Sequence, residues 1–138
     1  MTVMTVDDLH AFMTQEFPQV AEDFEVLQVH ADGVTIRMKI AERHLRPGGT
    51  VSGPSMFALA DCGLYFALLS QIGPVALAVT TNCSIDFMRK PEPGNLIGKT
   101  TIHKLGKTLC VGDVMIYSEG SDKPVARASL TYAIPPKR

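Results

Sequence analysis

The sequence predicts an α+β domain, with a curved antiparallel β-sheet wrapped around a long central helix. Three observations lead there. Pro54 to Leu69 is a run of sixteen residues with one charge, Asp61, and apolar residues on every side, so it reads as a buried helix. Upstream, Val34, Ile36, Met38 and Ile40 alternate with Thr35, Arg37 and Lys39, the period of a strand with one buried face. Downstream, strand-like runs follow one another at short intervals. A helix that needs burial on all sides is satisfied by a sheet curving around it, with other sheet surface left for a second copy.

Taken in order, residues 5 to about 17 carry Val6, Leu9, Phe12, Met13 and Phe17 at helical spacing. Thr5 is placed to cap this helix, Asp7 and Asp8 suit its first turn, and Pro18 ends it. Phe24 to His30 and Val34 to Ile40 read as a hairpin joined at Ala31-Asp32-Gly33. Residues 41 to 53 form a loop, since Pro47, Gly48 and Gly49 break any periodicity. Ser52 or Gly53 caps the central helix, Pro54 suits its first turn, and Gly73-Pro74 closes it. Val75 to Met88 reads as one long strand, with Thr80, Asn82, Ser84 and Asp86 sharing its polar face. Leu96 to Lys104 and Thr108 to Tyr117 flank the turn Leu105-Gly106-Lys107. Val125 to Ile134 is the last strand, with Ala126, Ala128, Leu130, Tyr132 and Ile134 on one side.

The 138 residues fit a single domain over 1–138, and 46% hydrophobic content supports a packed core. Thirteen basic and fourteen acidic residues leave a net charge of −1, which gives no electrostatic reason for nucleic acid or a membrane surface as partner. The apolar run is too short and too rich in small residues for a convincing membrane span. Cys62, Cys83 and Cys110 lie far apart without metal-ligand spacing, which points to reduced thiols in a cytoplasmic protein. MTVMTVDDLH shows no signal peptide. Neither a glycine-rich nucleotide fingerprint nor a P-loop is present, so NAD and ATP are not implied.

The chemistry starts from Asp61. A carboxylate on a buried helix is either bonded structurally or kept because it is used. Ala58, Ala60, Cys62 and Gly63 leave room beside it, and a desolvated carboxylate is a better proton acceptor. Gly53 stands at the helix start, where free N–H groups and the helix dipole favour developing negative charge; the simpler role is that of a cap. Ser52 suits an N-cap. His10, His30, His44 and His103 show no tie to Ser52 or Ser55, and most of them are expected at the surface, so a Ser-His-Asp triad is not supported.

The order of elements resembles a hotdog fold, and particular residues carry the likeness further. Hotdog thioesterases of the PaaI (phenylacetate-degradation) type have a loop of the form N-x-x-G-x-x-H-G-G and an acid nine residues after the His. Here Arg46-Pro47-Gly48-Gly49-Thr50-Val51-Ser52-Gly53-Pro54 fills that frame, and Asp61 falls nine residues after Ser52. The helical Asp61-Cys62-Gly63, the Asn82–Met88 strand before a Pro/Gly turn, and Leu105-Gly106-Lys107-Thr108 also fit. Three positions depart from it. Ser52 stands for the usual His, Arg46 for the usual amide, and Pro54 for the second Gly.

The resemblance implies an acyl-CoA thioesterase that adds water to a thioester. Asp61 would be base or nucleophile, the Gly53 N–H the oxyanion donor, and Thr80 the holder of the attacking water, facing Asp61 across a dimer interface. Asn82, on the same strand face, and Ser52 and Arg46 are further substrate contacts. Arg89, Lys90, Lys104 and Lys107 are candidates for the phosphates of coenzyme A, although solvated strand-end charge is the default for each. Acyl-CoA is substrate here, and no separate cofactor or metal is implied. The resemblance also implies a homo-oligomer, a dimer or a dimer of dimers. Phe57, Leu64, Tyr65, Phe66 and Met88 are the residues that could set pocket length. A non-catalytic acyl-CoA-binding hotdog protein is the alternative reading. A hydratase is less favoured, because no His lies between Gly48 and Ser70.

Overall fold

The computed structural model describes residues 2–136. Helix α1 (Val6–Glu16) is capped reciprocally by Thr5 and Asp8: the Thr5 hydroxyl accepts the Asp8 N–H at 3.1 Å, and Asp8 accepts the Thr5 N–H at 2.9 Å. Phe17 leaves the helical region, as a residue before proline tends to, and Pro18 opens a one-turn helix α2 (Pro18–Ala21). Strands β1 (Phe24–His30) and β2 (Gly33–Met38) form the expected hairpin. A 3-10 turn (Glu42–His44) precedes the central helix α3 (Gly53–Ile72). Strands β3 (Val79–Phe87), β4 (Leu96–Leu105), β5 (Leu109–Ser118) and β6 (Pro124–Ala133) complete the chain.

All six strands belong to one antiparallel sheet of order β1-β2-β4-β5-β6-β3. It curves around α3 as a hotdog fold. By length and composition α3 could cross a membrane, yet 67% of its apolar window is buried in this fold, which makes it the core helix. Ile36, Gly98, Ile116 and Ala126 line up across four strands beneath it. Close approach depends on small residues. A Cβ on Gly98 would lie 3.2 Å from Leu59, and one on Gly63 would lie 2.6 Å from the Thr100 hydroxyl.

Two expectations are corrected. The strand after α3 starts at Val79, because Val75 to Ala78 is tied down as a turn: the Ala78 N–H bonds Val75 O at 3.2 Å, and the Tyr65 hydroxyl donates to Ala76 O at 2.9 Å. Nor are the histidines simply surface residues. His44 is buried, and His10 Nε2 accepts the Val26 N–H at 2.9 Å. Each ring satisfies a backbone donor that the packing would otherwise strand.

Two stability outcomes follow. The Thr100 hydroxyl is buried without a partner among the described residues. Thr100→Val is therefore expected to raise unfolding free energy by about 1 kcal/mol in denaturant titration at fixed protein concentration. Burial pushes the Cys110 thiol up to about 11 from an ordinary value near 9, and burial, then the charges of Asp61 and Asp23, push Cys62 up to about 12. Folding thus favours the neutral thiols. Their contribution is complete below pH about 9 and is lost as pH rises toward the folded values. Unfolding free energy measured from pH 8 to 11 should fall, and less steeply in Cys110→Ala.

Candidate active site

The site is built where α3, the edge strand β3 and the last strand β6 meet. Asp61 sits two turns into α3, half-buried. Its Oδ1 accepts a hydrogen bond from the Thr80 hydroxyl and one of 2.8 Å from the Tyr132 hydroxyl, which is also 3.0 Å from the Asp61 carbonyl. Thr80 and Tyr132 are register partners on β3 and β6, so the sheet delivers both hydroxyls as a pair. Burial, then the charge of Asp61, push the Tyr132 phenol upward, keeping it a donor. Asp61 Oδ2 makes no hydrogen bond among the described residues. One oxygen is held and the other is available.

Beside the carboxylate lies a cavity of about 500 Å³, lined mainly by Phe17, Val20, Ala58, Tyr65, Ala76 and Val79. Cys62 also lines it, but its raised thiol stays neutral at physiological pH and is no nucleophile there. Of the four small residues around Asp61, Ala58 and Cys62 open onto the cavity, whereas Ala60 and Gly63 are buried in the core. Of the residues considered for pocket length, only Tyr65 lines this cavity. Met88 lines another, Leu64 and Phe66 belong to the core, and Phe57 is 41% exposed.

That other cavity, about 710 Å³, opens at the start of α3 and gathers Arg46, Gly53, Phe87, Met88, Arg89 and Lys90. Gly48 and Gly49 adopt φ of 97° and 80°, left-handed values that favour glycine, and let the loop turn back here. Gly53 is the first residue of α3, and its N–H makes no hydrogen bond among the described residues. Ser52 is the N-cap. Its oxygen accepts the Ser55 N–H at 3.3 Å, and its proton goes to Ser55 Oγ at 2.9 Å.

The structure therefore brings Asp61 and Thr80 together, and separately Gly53, Arg46, Arg89 and Lys90. The Thr80 contact lies within one chain and not across an interface, because β3 runs alongside α3. Asn82 does not share Thr80's face. The register shifts between Thr80 and Asn82, so Asn82 pairs with Thr131 on the outer face while Cys83 returns to the inner one. Lys107 lies near Ile72 at the far end of α3, and Lys104 lines neither cavity. A 20-residue helix is about 30 Å long, so these two lysines do not join the basic cavity. In the sequence pattern Tyr132 falls on the apolar face of the last strand. The signal was its hydroxyl, which needs a partner once the ring is inside. No cluster of three or more His, Cys, Asp or Glu is placed to hold a metal ion among the described residues.

Comparison with known proteins bears on this arrangement. The sequence model of the Thioesterase superfamily matches residues 48–125. A "putative thioesterase" from Silicibacter sp. TM1040 is 52% identical, covering 99% of this chain and 95% of that one, with a TM-score of 0.92. A Pseudomonas aeruginosa protein named "putative esterase" is 28% identical over 103 residues, covering 74% of this chain and 75% of its own. The PaaI protein of the E. coli phenylacetic acid degradation operon is 23% identical, covering 94% of this chain and 92% of that one. Its TM-score of 0.79 shows the shared fold. The profile match, which takes in the glycine loop, all of α3 and Asp61, makes this chain a member of the thioesterase superfamily.

Proposed function

We propose that the protein is an acyl-CoA thioesterase whose site is completed by a second copy of the chain. The observation that carries this reading is the Asp61 carboxylate, one oxygen clamped by Thr80 and Tyr132 and the other free beside an apolar cavity. The Thr80 and Tyr132 hydroxyls keep Asp61 oriented. Asp61 takes the proton of a water as its oxygen attacks the thioester carbon. Negative charge gathers on the former carbonyl oxygen, which a free helix N–H stabilises. The tetrahedral species then collapses, the C–S bond breaks, and the thiolate leaves with a proton returned to it.

The N–H donor has to come from elsewhere. Gly53 and Asp61 of one chain are eight residues apart on α3, about 12 Å along the axis, and open onto different cavities. Phe57 lies midway on the same helix face and is exposed. Two antiparallel copies of α3 crossing at Phe57 would set Gly53 of one against Asp61 of the other. The unpaired edge of β3, with Val79 and Phe87 exposed, suits the same contact. Arg46, Arg89 and Lys90 would then take the phosphates of coenzyme A, while the apolar cavity takes the acyl group. The free thiols suit a cytoplasmic setting.

One observation favours binding without turnover. Ser52, standing for a histidine, has its hydroxyl spent on the helix cap. A panel of aryl and fatty acyl-CoA esters followed by free-thiol release separates the readings. Turnover is expected, with Asp61→Asn reducing kcat by about 1,000-fold and Tyr132→Phe by about tenfold at nearly constant KM. Binding without hydrolysis, or full activity in Asp61→Asn, contradicts the thioesterase reading.

A further inference from the structure

We propose that His44 is a positioning residue for the oxyanion donor, setting the direction of the Gly53 N–H through its own backbone carbonyl. The inference rests on the thioesterase reading above. His44 is 6% exposed, and its ring is held on two sides. Nδ1 accepts the Ala41 N–H at 2.8 Å, which places the ring proton on Nε2. Nε2 faces Asp23 Oδ2 at 3.4 Å, and Asp23 Oδ1 pairs with Arg43. Asp23 is itself anchored at the foot of the first hairpin, its carbonyl accepting the Lys39 N–H at 2.8 Å.

A fixed ring fixes the backbone behind it. The His44 carbonyl accepts the Ser52 N–H at 2.8 Å and the Ser55 hydroxyl at 3.2 Å. The Ser52 hydroxyl donates in turn to Ser55. Each serine proton is used once and in a consistent direction. Ser52 and Ser55 bracket Gly53 and Pro54, so the first turn of α3 is clamped on both sides of the donor. His44 lines neither the Asp61 cavity nor the basic one. It acts through the helix start and touches no substrate. A donor aimed at developing charge tolerates little misdirection, so loosening this clamp should cost rate more than binding.

The test compares His44→Ala, Ser55→Ala and His44→Asn, using hexanoyl-CoA as substrate and amide hydrogen exchange of residues 51–57 as a second readout. Both alanine variants are expected to speed that exchange. His44→Ala should lower kcat by about tenfold or more with KM within about threefold, because a misaligned donor weakens transition-state stabilisation. In His44→Asn the side-chain oxygen can accept the Ala41 N–H, and kcat should recover to within about fivefold. If His44→Ala fails to fold, Ser55→Ala decides, since it leaves the ring in place and removes the hydroxyl that bonds the His44 carbonyl and accepts from Ser52. Unchanged kcat in a folded His44→Ala or Ser55→Ala variant, or unchanged exchange at 51–57, overturns the proposal. The two failures separate. A native protein that hydrolyses no thioester removes the parent reading, whereas an active native protein with indifferent variants removes only the role of His44.

Discussion

The fold is governed by one packing demand: a twenty-residue helix, apolar all round, that carries a carboxylate. Neither a bundle partner nor a flat sheet would cover such a helix, and the six-stranded sheet curves around it instead. The contact is tight because Gly63, Gly98 and Gly112 remove side chains where helix and sheet meet. The same surface that buries Leu59, Leu64 and Leu68 changes character at the β3 and β6 edge, where Thr80 and Tyr132 present hydroxyls to Asp61. The acid is thus tolerated by the features that make it usable. One oxygen is paid for in hydrogen bonds and the other faces the cavity.

The helix also acts as a ruler. Its start gathers Gly53 and three basic side chains, and its second and third turns carry Asp61 and the apolar cavity. The spacing between these stations is fixed by helical rise, about 12 Å over eight residues, and Gly53 and Asp61 of one chain open onto different cavities. That constraint, together with an exposed Phe57 halfway between them and an unpaired β3 edge, is what makes the proposed site a property of two chains.

Much of this was legible in the residues. The alternation of Val34, Ile36 and Met38 and the Asp-Gly turn specified the first hairpin, and the uncharged run with Pro54 and Gly73 at its ends specified α3. The Asp61 position followed from the same run. What was not legible depends on contacts distant in sequence. The register shift beside Thr81 turns Asn82 outward, and no local pattern announces it. Tyr132 meets Asp61 only because β6 neighbours β3 in the sheet. Nothing local to His44 signals its burial, which comes with Asp23 at the foot of the first hairpin, far away in sequence. Lys104 and Lys107 shared a charge sign with Arg89 and Lys90, but charge says nothing about which end of a helix a hairpin reaches.

The proposed activity needs a site shared between two copies, and subunit complementation measures that directly. Gly53→Pro removes the proposed donor at a helix position that accepts proline, and Asp61→Asn removes the base. Each variant alone should be inactive. Unfolded together and refolded as a mixture, half the dimers would pair one of each chain, with one intact site apiece, so about a quarter of native turnover should return. A mixture as inactive as its parents, with mixed dimers demonstrably formed, would contradict the shared site.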